Sequence, residues 1–291
     1  MSDTKPSILI QLDSDPQPSV FDGVVAVDSG VSHLFRHGGV TPGQVRDLIY
    51  GAMFTRGPAD LKSTAVFIGG SNVQAGESLL ESVKSTFFGP FRVSVLFDSN
   101  GANTTAAAAV LAAVDGFGGS VDGVEIALLA GTGPVGRRVA RLLAGLGAKV
   151  SLGSRKLDRA REAASEITSK GGKPVQAFET SDENALIQGV SQAQAIITSG
   201  TTGVTLLSRS ARSRLADLKV LIDLNAVPPL GIEGVESNDR KTSRDGLLCW
   251  GALGVGATKM KIHKAALKAI FEKNDRVLDA EEVLALGRSL A

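Results

Sequence analysis

Short apolar runs alternate with longer stretches of helical periodicity along most of the chain. Ile8-Leu9-Ile10 reads as a buried strand, closed by the polar turn Asp13-Ser14-Asp15-Pro16. The period of the apolar-rich stretch from Val20 to Val27 does not decide its type. Thr41-Pro42 opens a helix through Tyr50, Thr64 to Ile68 reads as a strand, and Gly76 to Phe87 reads as a helix with Leu79, Leu80 and Val83 inward. Arg92 to Phe97 is rich in β-formers. After Asp98-Ser99-Asn100-Gly101 an alanine-rich helix is expected over 104–114, with Asn103 as its N-cap. This alternation predicts a parallel sheet with helices on its faces.

Gly116-Phe117-Gly118-Gly119-Ser120 interrupts the rhythm and is the expected hinge. A second alternating unit follows, with strands expected at 124–129, 149–152, 175–178, 195–198 and 220–224 and helices between them. That is the rhythm of a doubly wound nucleotide-binding domain. The polar stretch from Glu233 to Gly246 reads as a loop, and the tail as two helices, 256–273 and 279–290.

Within this second unit, Val124 to Ala130 runs into Gly131-Thr132-Gly133-Pro134-Val135-Gly136 and then into the helical stretch Arg137 to Leu146. Strand, GxGxxG and helix in direct succession form a dinucleotide fingerprint: Gly131 makes the tight turn, Gly133 lets a diphosphate approach the backbone, and Gly136 lets helix and strand pack closely. Pro134 has no N–H to leave unpaired, and the helix N-terminus offers the remaining donors and partial positive charge.

The end of the next strand bears on which dinucleotide is held. An NAD-binding domain usually places Asp or Glu there to bond the adenosine ribose. Here the chain reads Leu152-Gly153-Ser154-Arg155-Lys156. A carboxylate would repel a 2′-phosphate, whereas arginine pairs with it bidentately, so NADP is favoured and NAD is the weaker alternative. The competing reading is that Arg155 and Lys156 only solvate a helix start. Ser199 and Thr201 after the fourth strand, and Asn225 after the fifth, are placed to meet the nicotinamide ribose and carboxamide. Ordinary turn chemistry explains these positions equally well.

Composition narrows the classes. Lys and Arg number 31 against 30 Asp and Glu, a net charge of +1, which gives no field suited to nucleic acid. The longest apolar run, Ala106 to Val114, is about half what a bilayer requires, so no membrane partner is expected. One cysteine, Cys249, permits no intrachain disulfide, and the first residues lead into no signal-type apolar segment; a cytoplasmic protein is expected.

On the helix after Gly256, Met260, Ile262, Ala266, Leu267 and Ile270 share one arc, and Lys259 and His263 fall within it. Four residues apart, they neighbour each other, and burying them without partners costs several kcal/mol. A snorkelling lysine with a satisfied core histidine is one reading; a pair facing a binding cleft is the other.

Pro18-Ser19-Val20-Phe21-Asp22, Thr55-Arg56-Gly57, Phe87-Phe88-Gly89-Pro90-Phe91-Arg92, Asp98-Ser99-Asn100-Gly101 with Asn103-Thr104-Thr105-Ala106-Ala107, Leu129 to Gly136, Pro228-Pro229-Leu230-Gly231-Ile232 and Gly251-Ala252-Leu253-Gly254 form a set of blocks spanning almost the whole chain. With them the sequence resembles the bacterial methylene-tetrahydromethanopterin dehydrogenases of one-carbon metabolism. The resemblance implies an α/β fold of two domains, a doubly wound Rossmann NADP domain at 118–247 inserted into an α/β pterin-binding domain made of 1–117 and 248–291. It implies reversible hydride transfer from methylene-tetrahydromethanopterin, in some members also methylene-tetrahydrofolate, to NADP. Loss of hydride leaves a methenyl cation delocalised over two nitrogens, so the step needs no general acid or base. The work falls on aligning two flat rings and excluding water as the domains close.

The resemblance further implies that Phe21 lies beside the reacting rings, that Lys259 orients substrate and that His263 positions it. Asp98, Asn100 and Asn103 are implied partners for the pterin edge, with a turn at Asn100 and a cap at Asn103 as competing accounts. A homo-oligomer, a trimer by family resemblance, is implied, and no metal. Trp250 before Gly251 and Ala257 after Gly256 depart from the family pattern. Two other readings share the two-domain plan: a shikimate- or amino-acid-type NADP dehydrogenase, and a non-catalytic NADP-sensing protein.

Overall fold

The computed structural model of the chain describes residues 5–200 and 202–290. The chain forms two compact units, Met1–Thr104 with Met260–Ala291, and Thr105–Lys259, so the second is an insertion in the first. Both divisions fall inside long helices instead of at the glycine-rich segment after Gly116.

The first unit carries five parallel strands: β1 (Ile8–Asp13), β2 (His33–His37), β3 (Thr64–Gly69), β4 (Ser94–Phe97) and β12 (Val277–Leu278), in the order β12-β4-β3-β1-β2. β3 and β4 are buried throughout. Strands buried on both faces read as unbroken apolar runs, which is why the pattern exposed them. β2 escaped it because it is a sheet edge with His33, Phe35 and Arg36 exposed, and polar side chains on an edge discourage pairing with other chains.

Val20 to Val27 is helical, in α1 (Val20–Asp28), begun by Ser19 Oγ accepting from Asp22 N–H at 3.3 Å. α2 (Pro42–Phe54) and α3 (Val73–Thr86) follow, the latter capped by Asn72 and so starting three residues before the expected Gly76. The expected cap of α4 (Ala102–Gly116) is corrected. Asn103 lies inside the helix, and Asp98 caps it, with Oδ1 accepting from the N–H groups of Asn103 at 2.9 Å and Thr104 at 3.0 Å.

The second unit is built on seven strands: β5 (Glu125–Leu129), β6 (Lys149–Ser154), β7 (Gln176–Glu179), β8 (Ala195–Thr198), β9 (Val220–Asp223), β10 (Arg240–Arg244) and β11 (Leu247–Trp250), ordered β7-β6-β5-β8-β9-β11-β10. All neighbours are parallel except β10 against β11. The order reverses between β5 and β8, the switch point at which doubly wound sheets open a crevice. Helices α5 (Pro134–Gly145), α6 (Leu157–Ser169), α7 (Glu183–Gly189) and the single turn α8 (Arg209–Arg212) connect the parallel strands.

The loop expected over 233–246 contains β10, paired with β11 through Asp245 and Gly246, whose φ values of +50° and +80° make the two-residue turn that Asp-Gly favours. The next helix, α9 (Ala252–Ala269), begins four residues before the expected Gly256, and α10 (Ala280–Ser289) closes the fold. Gly251 and Gly254 admit the backbone that leads into β10 against the start of α9: a Cβ on Gly251 would lie 2.6 Å from Ser237 O, and one on Gly254 would overlap Asp239 O.

Candidate active site

In the second unit the fingerprint has the geometry its glycines predict. Ala130, at φ +53°, turns the chain out of β5, and Gly133 is the N-cap of α5. A Cβ on Gly131 would lie 2.9 Å from Leu128 Cβ, and one on Gly136 would lie 2.5 Å from Gly131 Cα. A Cβ on Gly133 would meet no protein atom within 4 Å. Packing therefore requires two of the glycines, while the third faces open space at the helix N-terminus, as a diphosphate requires. Pro134 stands at N1 and Val135 and Gly136 contribute first-turn N–H groups. Arg137 Nε donates to Thr132 O at 2.7 Å, and its guanidinium pairs with Glu166 of α6, which secures the loop.

At the carboxyl ends of β5, β6 and β7 a cavity of about 470 Å³ is lined by Leu129, Ala130, Arg155, Thr180, Thr205 and Leu206, among others. Arg155 is exposed and Ser154 buried, its Oγ accepting from Lys156 N–H at 3.4 Å. These residues fit the adenosine half of a dinucleotide, with a cation where a 2′-phosphate would lie. Asp182 and Glu183 also line the cavity, so its charge is mixed.

Ser199 follows β8 at the switch point, its Oγ buried without a hydrogen-bond partner. Thr201 lies outside the described residues. Asn225, expected to meet the nicotinamide carboxamide, is buried: Nδ2 points to Pro229 O at 3.4 Å, and Oδ1 accepts from Val227 N–H at 3.2 Å, across a loop containing the cis Pro228-Pro229 bond. Asp223, unremarked in the sequence, organises that loop. Buried, it accepts from Thr198 Oγ1, Asn225 N–H and Ile232 N–H at 2.7, 2.9 and 3.0 Å.

In the first unit, His263 of α9 is 1% exposed. Its ring stacks on Phe67 of β3 with centroids 5.8 Å apart, and lies 6.4 Å from the half-exposed ring of Phe21. The reading of His263 as inward on the apolar arc therefore holds, with aromatic neighbours. Lys259 stands one turn earlier in α9 and is partly buried. Asp22, beside Phe21 in the first turn of α1, was missed as a functional candidate. Burial, together with the charges of Asp98 and Asp13, raises its carboxyl above the ordinary aspartate value; His263 and the Ser19 hydrogen bond oppose that shift.

Two of the implied pterin contacts are engaged within the fold by hydrogen bonds. Asp98 is spent on the start of α4, with Oδ2 accepting from Thr104 Oγ1 at 2.6 Å in addition to its two amide bonds. Asn103 donates inward to Phe97 O at 2.6 Å and Asp279 Oδ1 at 2.9 Å. Asn100 differs. It is exposed at φ +54°, and its N–H is anchored to Gly70 O at 2.7 Å.

Residues 20–100 match the family model of the N-terminal part of methylene-tetrahydromethanopterin dehydrogenase. Over 98% of this chain and 99% of its relative, the sequence is 45% identical to the bifunctional protein MdtA of Methylorubrum extorquens. With the same coverage it is 30% identical to an NAD(P)-dependent methylenetetrahydromethanopterin dehydrogenase of that organism. The chain belongs to the methylene-tetrahydromethanopterin dehydrogenase family. A shikimate 5-dehydrogenase from Listeria monocytogenes superposes with a TM-score of 0.52 over 100% of this chain and 98% of the other, at 14% identity, a likeness of fold alone. The family blocks around Phe21 and Asp98 thus fall at the carboxyl edge of the first sheet. The signal that could have found Asp22 was its place beside Phe21 in the first of those blocks.

Proposed function

We propose that the protein is an NADP-dependent dehydrogenase that oxidises the methylene group of a tetrahydropterin, methylene-tetrahydromethanopterin or also methylene-tetrahydrofolate, to the methenyl form, reversibly. The observation that carries this is the near end-to-end relationship to the two M. extorquens proteins. The fit of the Gly133 cradle and Arg155 to a phosphorylated dinucleotide supports the cofactor choice.

The bound oxidised dinucleotide supplies the hydride acceptor. The chain's own tasks are to hold and align. Gly131, Thr132, Gly133, Pro134, Val135 and Gly136 present the helix N-terminus to the diphosphate, with Ser154, Arg155 and Lys156 at the adenosine end and Ser199 at the nicotinamide side. The half-exposed Phe21 lies beside the substrate rings, with the buried His263 behind it at a ring tilt of 39°, and Lys259 orients the substrate's polar groups. Asn100 remains the side chain at the β4 edge available to the pterin. A C–H bond breaks with its electron pair and no proton leaves, so His263 serves by position. The family resemblance extends the reading to a homotrimeric cytoplasmic enzyme. Among the described residues no helix is long and apolar enough to cross a membrane.

The test is steady-state turnover of both methylene pterins against NADP and NAD. NADP reduction is expected with at least one pterin and at lower cofactor KM than NAD. Failure to turn over either pterin with either cofactor overturns the proposal.

A further inference from the structure

Three carboxylates and an imidazole gather at the carboxyl edge of the first sheet, and only one of the carboxylates has its oxygens uncommitted to the backbone. Asp13, the last residue of β1, accepts from Asp15 N–H at 2.9 Å, Ser19 N–H at 3.1 Å and Gln11 Nε2 at 3.4 Å. Asp98 is taken up by the start of α4, as described. Asp22 is bonded through its side chain to Ser19 and approaches the others: a Cβ placed on Gly69 would be 3.2 Å from Asp13 Oδ2, 3.5 Å from Asp22 Oδ2 and 3.1 Å from the Phe67 ring. The same Phe67 ring stacks on His263, which lies 6.4 Å from the Phe21 ring, so the carboxylate neighbours this aromatic cluster.

We infer that Asp22 is the counter-charge for the reaction's cationic product, a specificity residue that distinguishes the methenyl from the methylene form. The inference rests on the function proposed above. Oxidation turns a neutral methylene bridge into a monocation shared by two nitrogens. A carboxylate in a partly desolvated place, with Asp13 and Asp98 adding negative potential, attracts that charge more strongly than an exposed one does. The negative charges of Asp98 and Asp13, which favour a proton on Asp22, favour a delocalised cation for the same reason, whereas burial disfavours either unpaired charge and so makes their pairing count for more; His263 opposes the negative potential. Asp13 and Asp98 contribute only through space, because their oxygens hold the fold.

Asp22→Asn keeps the shape and removes the charge, and Asp22→Glu keeps the charge. Equilibrium titration of the full-length protein with the methenyl and methylene forms separately, without dinucleotide, is expected to show Asp22→Asn weakening methenyl binding about tenfold with methylene binding nearly unchanged. Asp22→Glu is expected to restore part of the preference. In single-turnover kinetics the on-enzyme equilibrium of Asp22→Asn shifts toward methylene by the same factor. Equal losses for both forms, or an unchanged methenyl affinity, overturn the inference. A wild-type protein that binds neither form overturns the proposed function instead, a separate result.

Discussion

Alanine at Gly133 and at Gly136 separates what the fingerprint owes to folding from what it owes to ligand. A Cβ at Gly136 falls 2.5 Å from Gly131 Cα and 2.6 Å from Gly131 C, backbone atoms that cannot rotate aside. Overpacking of this kind costs about 1–3 kcal/mol, and immovable backbone places it at the upper end. At roughly 2–4 °C per kcal/mol for a unit of this size, Gly136→Ala is expected to lower Tm by about 6–12 °C. Gly133 sits at φ −77°, ψ 174°, which alanine adopts freely, and its Cβ direction is open. Alanine gains about 0.4–1 kcal/mol from a less flexible unfolded chain and loses about 1 kcal/mol as a poorer N-cap, so the Tm of Gly133→Ala stays near wild type. Its new methyl group nevertheless occupies the diphosphate approach, so NADP affinity should fall at least about tenfold. Thermal melts and calorimetric titration with NADP measure both quantities. Wild-type NADP affinity in Gly133→Ala, or a wild-type Tm in Gly136→Ala, refutes the division of labour.

Further expectations follow from single residues. Arg155→Ala should raise the NADP KM about tenfold or more while leaving the NAD KM nearly unchanged, because only NADP carries the phosphate; equal effects remove the assignment. Asp22 has its folded carboxyl raised above 3.8, so the stability linked to it is complete below that pH and declines as pH rises through the folded value. Asp22→Asn should therefore have a higher Tm than wild type at pH 7, a gap that closes below about pH 4; a gap independent of pH contradicts the sign. Burial pushes the Cys249 thiol up to about 11, so at pH 8 a thiol reagent should leave the folded protein unmodified and label it fully in urea. Rapid labelling of the folded protein would show that Cys249 is reached from solvent.

Local chemistry was legible wherever a residue's role depends on its immediate neighbours. The fingerprint is contiguous, so strand, glycines and helix N-terminus could be read together, and β1, β3 and β5 announced themselves as apolar runs. The hairpin of β10 and β11 was also legible in principle. Asp245-Gly246 is a turn signal, but the polar face of an edge strand concealed its first arm. Asp98 takes the cap expected of Asn103 because the helix starts earlier than alanine content suggests, and only the chain geometry shows which polar group meets the free amides.

By itself the sequence determined the α/β rhythm, the dinucleotide cradle and the absence of an acid after β6, since all three depend on short-range spacing. Tertiary structure alone decided that Asp22, His263, Phe67 and Phe21 meet, though they lie as far apart as positions 21 and 263 in the chain. It also decided that Asp98, Asn103 and Asn225 turn inward. The physical reason is that burial and partner supply set a polar side chain's role, and both come from parallel strands whose edges join distant segments.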